Sequence, residues 1–100
     1  MSETVHERVF RVGHTLGLHA RPAGRFVSIA SRFVAQVEVA REGDREGEWV
    51  SGRSVLSLLS LAAGFGTRLR LRATGPDAEQ VLAQLGELLE EPAAADGGAS

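Results

Sequence analysis

Residues 68–73 read Arg-Leu-Arg-Leu-Arg-Ala, a strict alternation of charged and apolar side chains. Successive side chains of a strand point to opposite faces, so this pattern predicts a strand with one wet and one buried face, in an antiparallel sheet covered on a single side. Val34, Gln36 and Glu38 alternate with Ala35, Val37 and Val39, and Phe10 and Val12 alternate with Val9 and Arg11, which predicts two further strands. Between them the period changes. Ala20, Ala23, Phe26, Val27, Ala30 and Phe33 recur at three- and four-residue spacings and predict a helix with Arg25, Ser28 and Arg32 outside its apolar face. The polar stretch from Arg41 to Gly47 predicts a hairpin loop leading to a short strand around Trp49 and Val50. Ser54 to Ala63 predicts a second helix, Gly64-Phe65-Gly66-Thr67 a turn, and Gly75-Pro76-Asp77 the start of a last helix built on Ala78, Val81, Leu82, Leu85, Leu88 and Leu89, with Pro92 beyond its end. The order is β-α-β-β-α-β-α, an α+β fold in which a four-stranded antiparallel sheet carries three helices on one face.

A chain of 100 residues that is 43% hydrophobic supports one modest core. That core is expected to occupy residues 1–91 as a single domain. Residues 92–100 are small or polar and are expected to be a disordered tail. With no cysteine, disulfides and thiolate-held metals are excluded, and no metal or other cofactor is implied. No apolar run approaches the ~20 residues needed to span a bilayer and no signal peptide opens the chain, so a cytoplasmic protein without membrane insertion is expected. A net charge of −2 argues against general polyanion binding. Arg68, Arg70 and Arg72 belong on the wet face of a sheet and have no aromatic residue interleaved for base stacking, so nucleic acid is not an expected partner.

One stretch carries chemistry. In Gly17-Leu18-His19-Ala20-Arg21-Pro22-Ala23 a histidine stands where a glycine turn enters a helix, and Pro22 lies in the first turn, where a missing N–H costs nothing. The N–H groups of Ala20, Arg21 and Ala23 are then expected to be free and to point at whatever sits beside His19. A helix start favours an anion and disfavours an imidazolium, which suits His19 to act as a nucleophile whose phosphorylated form is stabilised. Arg21 adds a guanidinium that can fork onto phosphate oxygens. His6 and His14 have no partner at metal-ligand spacing and are read as surface residues. The second predicted helix is apolar on almost every side. Leu58 and Leu61 are expected to be core, leaving Val55, Leu56 and Leu59 as a partly exposed partner surface. Ser54 is expected to cap that helix.

The run around His19 closely resembles the active-site motif of HPr, the histidine phosphocarrier family of the bacterial phosphoenolpyruvate:sugar phosphotransferase system. Gly52-Arg53-Ser54 ahead of an apolar helix is similar to the family's second signature, and the order of segments agrees from about Val9 to Glu91. The resemblance implies an open-faced β-sandwich and a monomeric phosphocarrier rather than an enzyme. By the same resemblance, His19 takes a phosphoryl group at Nδ1 from enzyme I, which draws it from phosphoenolpyruvate, and passes it to EIIA-type domains with Arg21 as its partner. Ser54 matches a serine that a dedicated kinase phosphorylates in many relatives, which slows acceptance at the histidine. Three positions depart from the pattern: Leu16 replaces a small polar residue ahead of the glycine, and Ser28 and Ser31 stand where lysines often line the first helix. The hairpin loop is also about four residues longer than usual. A regulatory carrier of the nitrogen-related branch, or a binding module that controls a transcription factor or enzyme by its phosphorylation state, is compatible with the same site.

Overall fold

The computed structural model describes residues 4–43 and 48–91. The tip of the hairpin loop, where the extra length was expected, and the expected tail 92–100 lie outside them. Seven elements follow in the order β1 (Val5–Arg11), α1 (Ala20–Ala30), β2 (Gln36–Arg41), β3 (Val50–Ser51), α2 (Val55–Leu59), β4 (Arg68–Thr74) and α3 (Ala78–Leu89). The strands form one antiparallel sheet in the order β1-β4-β2-β3. β4, the strand with the strictest alternation, is central. Its Leu69, Leu71 and Ala73 are buried beside Val37 and Val39 of β2, with Val39 paired to Leu71 and Val37 to Ala73. The helices lie over this inner face, where Phe26 of α1, Leu58 of α2 and Val81, Leu82, Leu85 and Leu89 of α3 close the core. Among the described residues no helix is long and apolar enough to cross a membrane.

The outer face neutralises itself. The Nε of Arg68 lies 2.6 Å from Glu42, that of Arg70 3.1 Å from Glu7 and that of Arg72 2.7 Å from Glu38. Trp49 packs beneath two of these cations, 4.8 Å from Arg70 and 4.1 Å from Arg72. No aromatic residue interleaves with the arginines along β4, yet one packs on them from another segment. It comes from the neighbourhood of β3, where spacing along β4 gives no sign of it.

Two helices are shorter than expected. α1 ends at Ala30 because the chain tightens there: Arg32 N donates to Ile29 O at 3.0 Å and Phe33 N to Ala30 O at 3.2 Å, so Phe33 packs on the core from outside the helix. α2 has five residues rather than ten. Ser54 caps it, its hydroxyl accepting from Ser57 N at 3.1 Å. At the other end Ala62 takes a left-handed conformation, φ 52°, which stops the helix. Asp77 stands at the start of α3, but its carboxylate accepts from Val34 N at 2.9 Å and Ala35 N at 2.8 Å, fastening α3 to the lead-in of β2. The Val34 bond, the Ala35 bond and the charge of Arg53 together outweigh desolvation and hold this carboxyl below the usual carboxylate range.

Candidate functional site

The turn ahead of α1 is built by close backbone approach. Gly17 has φ +76°, and a Cβ there would sit 2.5 Å from Ala63 O and 2.7 Å from Gly64 Cα, so both conformation and space require glycine. Gly17 N donates to His14 O at 2.9 Å, Leu18 N to Ala63 O at 2.8 Å and His19 N to Gly17 O at 2.9 Å. These three bonds fix the backbone before the helix begins. Leu18 is buried and serves as the anchor.

His19 is the N-cap of α1, in extended conformation with φ −86° and ψ −171°, and its side chain makes no capping hydrogen bond. Its Nε2 is buried without a hydrogen-bond partner. That leaves Nδ1 as the candidate acceptor of an incoming group. The ring borders a shallow cleft of about 220 Å³ lined by Leu16, Leu18, His19, Ala62, Ala63 and Gly64. Arg21 is exposed and, among the described residues, makes no ion pair or side-chain hydrogen bond.

Of the three N–H groups expected to be free, one is not. Ala23 N donates to His19 O at 3.0 Å and forms the first bond of the helix. Those of Ala20 and Arg21 precede that bond and remain available, while Pro22 has none to offer. Available donors on consecutive residues beside an uncapped imidazole can hold an oxyanion.

His14 is a second correction. It is fully buried rather than on the surface, the one polar or charged residue so placed among the described residues. Parity could have found it, because His14 continues the inward series of Phe10 and Val12 to three residues past the end of β1. Sequence reasoning also missed Arg41, whose Nη1 donates to Leu61 O at 3.0 Å and Ala62 O at 3.1 Å, holding the segment after α2 that walls the cleft. His6 is partly exposed, with Nδ1 3.5 Å from Glu79. No group of three or more metal-ligating side chains occurs among the described residues.

The α2 surface divides as its pattern predicts. Leu58 and Leu61 are buried, Leu56 is 79% exposed, and Val55 and Leu59 are half-buried against the core. Leu16 and Phe65 add exposed apolar side chains in the segments that flank the cleft. The Gly52-Arg53-Ser54 motif also has a packing basis. A Cβ on Gly52 would meet Val37 Cγ1 at 2.7 Å, and Arg53 Nη2 donates to Phe33 O at 2.6 Å and Ala35 O at 3.1 Å.

Comparison with known proteins agrees with this geometry. Residues 6–91 match the family described as PTS HPr component phosphorylation site. The phosphocarrier protein HPr of Pseudomonas aeruginosa is 42% identical over 74 residues, which cover 74% of this chain and 79% of that protein. The phosphocarrier protein HPr of Haloferax volcanii is 40% identical over 88 residues, 88% of this chain and 97% of that one. The crystal structure of HPr from Bacillus anthracis superposes with a TM-score of 0.77 at 31% identity, covering 86% of this chain and 98% of that chain. The chain belongs to the HPr family, the phosphocarrier proteins of the phosphotransferase system.

Proposed function

We propose that His19 accepts a phosphoryl group at Nδ1 from phospho-enzyme I and passes it to EIIA-type domains, with the protein acting as a monomer in the cytoplasm. The observation that carries this reading is the state of the imidazole. It caps nothing, its Nε2 is buried, and the unused N–H groups of Ala20 and Arg21 lie at the helix start beside it. In the transfer the Nδ1 lone pair forms the N–P bond as the bond from phosphorus to the donor breaks. Arg21, having no carboxylate partner among the described residues, is available to fork onto the phosphoryl oxygens, and its charge-assisted bonds form only once the phosphate is in place. The apolar patch made by exposed Leu56 with half-buried Val55 and Leu59 serves as the docking surface for enzyme I and EIIA domains. Ser54 is both a cap and a site for an ATP-dependent kinase. A phosphate there adds about −1.5 to −2 of charge beside the patch and weakens docking of an acidic partner.

The test mixes the purified protein with phosphoenolpyruvate and enzyme I. One added phosphate, labile in acid and stable in base, is expected on wild type and absent from His19→Ala. Undiminished labelling of His19→Ala refutes the assignment.

A further inference from the structure

His14 belongs to neither β1 nor α1, yet it is fully buried. Its Nε2 lies 2.7 Å from Leu88 O, which can only accept, so this nitrogen carries the proton of the bond. Leu88 O is in the last turn of α3, where helical donors run out; its other bond, from Glu91 N, is long at 3.4 Å. The preceding residue is fastened in the same way, Gly13 N donating to Leu89 O at 2.8 Å. Consecutive residues of the lead-in are therefore tied to consecutive carbonyls of α3. A Cβ on Gly13 would lie 2.6 Å from Glu91 O, so the two segments are in direct contact.

From His14 the chain of bonds continues to the reacting residue. His14 O accepts from Gly17 N, and Gly17 O accepts from His19 N, each at 2.9 Å. The end of α3 also reaches α1 directly. Glu91 Oε1 lies 3.9 Å from His14 Nε2, while its Oε2 lies 3.1 Å from Nη2 of Arg25, one helical turn beyond Arg21. The turn before His19 and the helix after it thus share one anchor.

We infer that His14 is a positioning residue for phosphoryl transfer, its imidazole fixing the His19 turn against the C-terminal carbonyls of α3. This rests on His19 being the phosphoryl acceptor. An apolar side chain of similar size would fill the space but leave the turn without its side-chain tie, and small misplacements of a reacting group slow a reaction steeply.

The test compares wild type, His14→Leu and His14→Asn in transfer from phosphoenolpyruvate through enzyme I, with unfolding midpoints measured on each. His14→Leu is expected to lower the maximal transfer rate about 10-fold with little change in the carrier concentration giving half-maximal rate. His14→Asn, whose amide can donate to Leu88 O, is expected to recover most of that loss. A wild-type rate in His14→Leu, or equal losses in the two variants, overturns the inference. If His14→Leu does not fold, Glu91→Ala replaces it. That variant removes the link to Arg25 and is expected to slow maximal transfer about 3-fold; an unchanged rate counts against the inference. Absence of labelling on wild type overturns both this inference and the acceptor reading on which it rests, whereas a failure confined to the variants overturns this one alone.

Discussion

Leu56→Glu and Leu58→Glu place the same charge two residues apart on α2 and separate docking from folding. Leu58 is 0% exposed and Leu56 79%. Truncating a buried leucine to alanine costs about 2–5 kcal/mol, and a carboxylate at the same place adds the desolvation of an unpaired charge, several kcal/mol more. A domain of this size has about 5–15 kcal/mol of total stability, so Leu58→Glu is expected to unfold it or come close. At position 56 the carboxylate stays in water, and the stability change is expected to remain within about 0.5 kcal/mol. Binding responds in the opposite sense. Loss of an apolar anchor near the centre of a docking surface costs about 2 kcal/mol or more, a fall in affinity for enzyme I of well over 10-fold. Urea unfolding gives the midpoints, and the enzyme I dependence of phosphoryl transfer gives the affinity. Equal loss of stability in the two variants would refute the division of the helix into core and surface. Transfer by Leu56→Glu with wild-type dependence on enzyme I would move docking elsewhere.

Three further outcomes follow from the same geometry. Arg21→Ala is expected to leave the unfolding midpoint unchanged, because Arg21 is exposed and has no ion-pair partner among the described residues, while slowing transfer and altering the phosphohistidine lifetime through loss of charge-assisted bonds of about 1.5–3 kcal/mol each; quench-flow and hydrolysis rates check this. Ser54→Asp keeps an oxygen acceptor for Ser57 N, so stability is expected to hold while apparent affinity for enzyme I falls at low salt and recovers at high salt; transfer assays at two ionic strengths decide. Asp77 is held below its ordinary value by the Val34 and Ala35 N–H bonds. Its contribution to stability is therefore fully present above the unfolded carboxylate value near 4 and is lost as pH falls through the lower folded value, so Asp77→Asn is expected to flatten the acid side of the stability profile, read from unfolding midpoints between about pH 2 and pH 6.

The parts of this molecule that local pattern dictates were legible. Alternation placed β4 with Leu69 and Leu71 inward, and the glycine turn and Pro22 placed His19 at a helix start. What escaped depends on which segments meet in space. Trp49 reaches Arg70 and Arg72 because β3 joins the same sheet as β4, on the far side of β2, and Asp77 turns away from its own helix because Val34 and Ala35 present donors across the fold. The length of α2 was overestimated because an alanine in left-handed conformation leaves no local signal. His14 is different. Its parity with Phe10 and Val12 points inward, but a polar residue beside a turn is more often wet, and its burial is compensated by partners from a distant segment, among them the Leu88 carbonyl at the end of α3.

The two helix starts nearest the site are finished in opposite ways, and that difference bears on function. At α2 the Ser54 hydroxyl satisfies Ser57 N, so the helix is complete without a ligand. At α1 the cap position holds His19, whose side chain makes no such bond, and Ala20 and Arg21 keep their donors. A serine in place of His19 would complete α1 and remove its affinity for an anion, because the helix would already have its acceptor. On the proposed reading the phosphoryl oxygens supply that acceptor, so modification completes the first turn. Ala62, held at φ 52° in the cleft wall, places a strained backbone beside the same imidazole, with Arg41 bonded to the Ala62 carbonyl. Incomplete capping and strain fall together at His19, the residue proposed to change its covalent state, while the rest of the fold supplies the rigid frame that tolerates them.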